Sequence, residues 1–192
     1  MAILLIGEFI FGLGDSLLIA AGVGNTPWTV LAEGIADTTE VWTIGEATFL
    51  VSVTVMFLWI PIKETPGIGT ILNIIIIALT IHVMVPILPQ PENPLVSILM
   101  ASTGIVLVGI GSSMYLTANL GPGPRDGWMT GLQRTTGIPI GRVRIAIEAS
   151  VLVIGIVLGG TFGIGTILFA VSIGPVVASC LSIASRIDSA TG

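Results

Sequence analysis

The sequence predicts an all-α membrane protein built as six transmembrane helices in two inverted three-helix repeats. Three observations carry that expectation. Of the 192 residues, 53% are hydrophobic and only 9% charged, against roughly 25% charged in an ordinary soluble domain. The apolar runs are each about 20 residues long, the length that crosses a hydrocarbon core of about 30 Å. The second half of the chain also repeats the first in order and spacing.

Taken in order, the expected spans are 2–22, 42–62, 67–88, 95–118, 138–158 and 163–185. The first is apolar from Ala2, with no basic region or small-residue cleavage site, and reads as a true span rather than a removable signal. Gly22 to Pro27 ends it. Pro61 to Gly67 separates the second and third. Pro86, Pro89, Pro91 and Pro94 stiffen the loop before the fourth, and Gly159-Gly160 divides the last two. Each break follows from glycine's backbone entropy or proline's missing N–H.

Basic residues set the orientation. The connection after span one carries Glu33, Asp37 and Glu40 but no Lys or Arg. Lys63 follows span two, Arg125, Arg134, Arg142 and Arg144 flank the connection between spans four and five, and Arg186 follows span six. The Pro-rich loop and the Gly-Gly turn have none. Connections alternate between basic and not basic, so the positive-inside rule puts both termini in the cytoplasm. The expected location is a prokaryotic cytoplasmic membrane.

Sliding the chain by 97 residues superposes Gly12, Gly14, Ser16, Ala21, Gly24, Pro27 and Gly34 on Gly109, Gly111, Ser113, Ala118, Gly121, Pro124 and Gly131. At an offset of 96, Thr65 to Leu72 matches Thr161 to Leu168 at seven of eight positions. The units are therefore 1–88, a Pro-rich extracytoplasmic loop at 89–94, and 95–192. Three spans per unit is an odd number, which inserts the second unit upside down relative to the first.

Each unit contains a segment started by glycine and proline, Gly24 to Gly34 and Gly121 to Gly131. Two readings stand. As half-helices beginning at Pro27 and Pro124, they aim positive dipole ends and free N–H groups at an anion, with Arg125 adding a forked cation and Asp126 capping the first turn. As interfacial helices, they anchor in the membrane surface through Trp28 and Trp128. The Gly-Ile-Gly-Thr pairs at 67–70 and 163–166 favour close packing and lack the Gly-Lys-Ser/Thr ending of a phosphate loop.

These motifs together resemble the YczE-type bacterial integral membrane proteins: Gly24-x-x-Pro27-Trp28, Gly123 to Met129, Arg144-x-x-x-Glu148, Gly159-Gly160, Gly163 to Thr166 and Ile173-Gly174-Pro175. The resemblance spans nearly the whole chain. It implies a membrane protein with this repeat and implies no substrate.

Charges inside spans cost about 2.5–3.5 kcal/mol each near a helix centre, so each demands a reason. Glu148 and Asp15 sit deep in spans five and one. Arg144 precedes Glu148 by one helical turn and is expected to pair with it. Under the repeat, position 15 corresponds to Ser112 and position 148 to Ser52. The expected solute or ion pathway therefore comprises Asp15, Ser52, Ser112, Arg125, Asp126, Arg144 and Glu148. Glu8 and Glu46 are expected to reach headgroups, His82 to be a satisfied polar residue, and Arg134 to act only as an orientation signal.

Other chemistry is poorly served. One cysteine and one histidine argue against a metal site or disulfide, no nucleophile–base set suggests an enzyme, and no cofactor is implied. The shortage of basic residues argues against nucleic acid. The expected partners are the lipid bilayer and a small solute or ion, and a homo-oligomer or membrane complex fits the composition equally. Transport between the repeats is the leading function. The alternatives are a non-transporting accessory or scaffold protein, or a substrate-binding subunit of a larger transporter.

Overall fold

The structure is a computed structural model, and it describes residues 1–39 and 41–191, with side chains as far as 184. Glu40 and the Arg186 side chain, both used above for orientation, lie outside the described residues. Those residues form α-helices and no strands: α1 (Ala2–Ala21), α2 (Pro27–Thr39), α3 (Ile44–Phe57), α4 (Trp59–Ile62), α5 (Ile68–Met84), α6 (Pro94–Thr117), α7 (Pro124–Thr136), α8 (Ile140–Val157) and α9 (Ile164–Thr191).

Helix starts follow the local chemistry. Thr43 caps α3 in a reciprocal box with Glu46, and Asn93 caps α6 with proline in the first turn, where a missing N–H costs nothing. The expected span 42–62 is broken at Leu58 into α3 and α4. Among the described residues, four helical stretches are long and apolar enough to cross a membrane: Ala2–Ala21, Ile44–Ile62, Pro94–Thr117 and Ile164–Ala184. Helix α5 is apolar but shorter, and α8 carries Arg142, Arg144 and Glu148 within its 18 residues. Large apolar side chains such as Phe9, Phe57, Leu79, Leu99, Val157 and Val171 face outward, the distribution that a hydrocarbon solvent permits.

Helices α1 and α6 form the central pair, with α5 against α1 and α9 against α6. Glycine sets how closely the central pair approaches. A Cβ on Gly7 would lie 3.0 Å from the Gly111 carbonyl, and one on Gly14 would lie 2.6 Å from the Gly104 carbonyl. Two apolar clusters result. One joins α1, α6 and α9 through Leu18, Ile105, Val108, Phe169 and Ile173. The other joins α2, α3, α7 and α8 through Trp28, Val51, Met129, Val143 and Ile147.

The same connection geometry occurs in both halves. Gly22 and Asn119 are left-handed (φ 66° and 51°), and Gly24 and Gly121 follow at φ 114° and 119°. The Gly165 N–H donates to the Val23 carbonyl at 2.8 Å, and the Gly69 N–H donates to the Leu120 carbonyl at 2.8 Å. Each Gly-Ile-Gly-Thr start thus grips the loop that precedes the 13-residue helix of the other half. That bears out the close-packing expectation for this motif.

Those grips turn the chain back on itself. Thr29, in the first turn of α2, bonds Asp15, which lies roughly 9 Å of helix rise before the end of α1. Gly123, just before α7, sits against Asn73, roughly 7 Å of rise into α5. Both short helices therefore start inside the helical bundle.

Candidate functional site

The starts of α2 and α7 converge on one cavity of about 120 Å³. Six of the seven expected pathway residues line it: Ser52, Ser112, Arg125, Asp126, Arg144 and Glu148. They arrive from α3 and from the consecutive helices α6, α7 and α8, brought together by tertiary packing. The two apolar clusters flank the space, contributing Val108, Phe169 and Ile173 on one side and Trp28 and Met129 on the other.

Asp15 stands apart from these six. It is fully buried but does not line the cavity. The Thr29 hydroxyl donates to both of its carboxylate oxygens, at 2.8 and 3.0 Å, and the Thr26 hydroxyl lies 2.8 Å from that of Thr29. Asp15 therefore fastens the start of α2 to α1 behind the cavity wall. A buried carboxylate demands such donors, and a residue with no visible chemistry, Thr29, supplies them.

The expected ion pair forms, with Arg144 Nε 2.9 Å from Glu148 Oε1. Asp126 accepts from the Tyr115 hydroxyl at 2.5 Å. Tyr115 escaped the sequence reading, although a lone tyrosine in an apolar span (the chain has one) signals a hydroxyl that must find a partner. Trp59 was missed too. It is 1% exposed, and its indole N–H donates to the Pro124 carbonyl at 3.0 Å, clamping the start of α7.

Arg125 lies with its guanidinium carbon 5.1 Å from the centroid of the Trp28 ring, within the range of a cation–π contact. Trp28 meets Trp128 edge to face at 6.4 Å. Trp28 is 4% exposed, which overturns its reading as a membrane-surface anchor. The apolar side of α7 likewise turns inward, since Met129 is buried and Trp128 and Leu132 pack on the same cluster. The reason is steric. Gly127 and Gly131 leave no room for a Cβ against Trp59 and Ile62, so α7 seats on α3 and α4.

Three further expectations resolve. Glu8 does not reach headgroups, because it is fully buried and both its oxygens lack a hydrogen-bond partner. Arg134 does more than signal orientation, since it pairs with Glu64 and reaches the Ile62 carbonyl at 3.4 Å. His82 is satisfied, its Nδ1 lying 2.9 Å from the Thr43 hydroxyl. In the first half, Glu33 performs a tether like that of Arg134: it accepts from Asn25 Nδ2 at 2.8 Å and from the Thr161 N–H at 2.7 Å. A second pocket, of about 510 Å³ and lined by Asp37, Trp42, Thr43 and His82 among others, lies between the end of α2 and the start of α3, away from the starts of α2 and α7.

Among known proteins, residues 1–182 match the model of a family described as "Family of unknown function (DUF6198)". A Haemophilus influenzae relative, "Uncharacterized protein", is 45% identical over 187 residues, which cover 97% of this chain and 85% of the relative. The Bacillus subtilis "Uncharacterized membrane protein YczE" is 34% identical over 173 residues, covering 88% and 79%. A second Bacillus subtilis relative, "Uncharacterized protein YyaS", is 29% identical over 176 residues, covering 85% and 83%. No solved structure matches. The YczE-type resemblance read from the motifs holds, and with it the membrane character of the chain.

Proposed function

Since the chain belongs to DUF6198, a family of unknown function, we propose from its cavity that it moves a small solute or ion across the cytoplasmic membrane. In this reading α1, α3 with α4, α5, α6, α8 and α9 are six spans in two inverted repeats, 1–88 and 95–192, joined by the 89–94 loop, with both termini cytoplasmic. Helices α2 and α7 are half-helices that enter from opposite faces and meet near the midplane. The basic residues of α8 lie in its first turns, where they snorkel toward the cytoplasmic interface. At 17 residues, α5 is roughly 26 Å long, a mismatch that local thinning absorbs.

One observation carries the reading. The cavity lies where two half-helix starts from different halves converge, and it is lined by polar groups from both halves. Inverted-repeat carriers hold their solutes at this place, between broken helices at the repeat interface. A scaffold or accessory protein gains nothing from keeping Ser52, Asn73 and Ser112 more than nine-tenths buried around open space, because unpaired polar groups there are a burden on stability. Catalysis is not part of the proposal.

The test is flux in proteoliposomes. Purified protein in sealed vesicles is offered a panel of labelled small solutes and ions, and wild type is expected to accelerate at least one of them. Glu148→Gln is expected to abolish that flux while the protein remains folded in the membrane. Vesicles as tight as protein-free ones to the whole panel sink the transport reading. A cellular phenotype that follows Arg134→Ala and ignores Glu148→Gln favours the accessory role instead.

A further inference from the structure

Resting on the transport reading, we propose that the cavity takes a small organic monoanion, one carboxylate on a short apolar body, with Arg125 as its anchoring residue. Four charged side chains line the space: Arg125, Asp126, Arg144 and Glu148. Three of them already have partners. Glu148 holds Arg144, and Asp126 holds the Tyr115 hydroxyl. Asp15, behind the wall, holds Thr29. Arg125 alone of the four makes no hydrogen bond or ion pair among the described residues, and its protein contact is the face of Trp28. Its guanidinium donors are thus left without a protein acceptor, and a guanidinium fork matches a carboxylate in bidentate fashion.

The neutral groups point the same way. Ser52, Asn73 and Ser112 line the cavity, are exposed by only 6%, 8% and 7%, and have no hydrogen-bond partner among the described residues. Each offers a donor, and a buried donor left unpaired is unfavourable until something enters to accept from it. The starts of α2 and α7 add positive partial charge from two directions.

Size and charge narrow the class. An engineered cavity of about 150 Å³ accommodates benzene, so about 120 Å³ suits a body of four to six non-hydrogen atoms. Phe11, Val108, Phe169 and Ile173 on the wall favour a hydrocarbon portion over a bare inorganic ion. With Asp15 behind the wall, three carboxylates and two guanidinium groups surround the site, so selection of a monoanion rests on the unpaired Arg125 fork, and a second negative charge is repelled.

The experiment uses purified full-length protein in lipid nanodiscs, titrated with butyrate, butylammonium or butanol, three solutes of one shape and different charge. Binding is read by tryptophan fluorescence, since Trp28 is part of the wall. Butyrate is expected to bind saturably and butylammonium not at all. Arg125→Gln is expected to weaken butyrate by about a hundredfold, the loss that follows when a charged hydrogen-bonded pair is broken. Arg125→Lys retains charge without the fork and is expected to fall between them, which keeps the test valid if the glutamine variant folds poorly. Butylammonium binding as well as butyrate, equal butyrate affinity in wild type and Arg125→Gln, equal competition by chloride, or no binding of any of the three overturns the assignment. Flux separates the two claims. Butyrate bound through Arg125 but never moved across proteoliposomes upholds the anion site and overturns transport; flux of a cation or neutral solute alone upholds transport and overturns the anion.

Discussion

Gly121→Ala tests the junction on which the cavity depends. Gly121 sits at φ 119°, and an added Cβ would lie 2.9 Å from both the Gly67 Cα and the Thr70 Oγ1. Two penalties therefore act together. Forcing an L residue into this region costs about 1–3 kcal/mol. Overpacking against backbone, which has little room to yield, adds about 1–3 kcal/mol. Two other glycines separate these terms. Gly137 is also left-handed, at φ 73°, but nothing lies within 4 Å of its Cβ position, so Gly137→Ala should cost only about 1–2 kcal/mol. Gly141, within α8, likewise has nothing within 4 Å, and Gly141→Ala should stabilise by about 0.5–1 kcal/mol through helix propensity. Thermal unfolding of the three variants in one detergent gives the order. If Gly121→Ala is no worse than Gly137→Ala, the tight seat of the α7 loop on the start of α5 is not what holds this region together.

Other substitutions probe single contacts. Trp59→Phe removes the N–H donor to Pro124 and leaves space where the larger indole packed, so it should destabilise by about 2–4 kcal/mol, with α7 the first element to lose hydrogen-exchange protection. Glu8→Met replaces a fully buried carboxyl group whose oxygens have no partner, and the protein should become more stable by about 1–3 kcal/mol; a lower melting temperature would mean that Glu8 has a partner of its own. Arg134→Ala should change stability by less than about 1 kcal/mol, because the Arg134 side chain is 59% exposed in its pair with Glu64. Tyr115→Phe strips Asp126 of its donor, so butyrate binding should weaken severalfold through the freed negative charge, and an unchanged affinity would refute that electrostatic link.

The two starts at Pro27 and Pro124 differ in how they are held. At α2 the carboxylate is on the long helix, as Asp15, and the hydroxyl is on the short helix, as Thr29. At α7 the corresponding positions are reversed in chemistry: the long helix carries Ser112 and the short helix Asp126, which turns to Tyr115 instead. Ser112 is thereby left to face the cavity, and Arg125 stands where the first half has Trp28. Two similarly built starts thus bring one cation over one aromatic ring.

Composition and spacing by themselves determined that this is a helical membrane protein and where most of its helices break, though not the break at Leu58. These follow from local physics. A bilayer-length apolar run must form a helix to satisfy its backbone, and clustered glycines and prolines mark the connections, although Pro175 stands inside α9. The Arg144–Glu148 pair was legible for the same reason, being one turn apart on one helix. Only the tertiary structure decided which polar groups share a space. Asp15 and Glu148 look alike in sequence, yet Thr29 draws the first behind the wall while the second reaches the cavity. Trp28 could be an anchor in lipid or a platform for Arg125, and the choice fell to Gly24 and Gly165, whose missing side chains let the loop fold back between helices. Contacts between residues nearly a hundred positions apart leave no periodic trace in the chain, so burial, partnership and the direction of each charge had to come from packing.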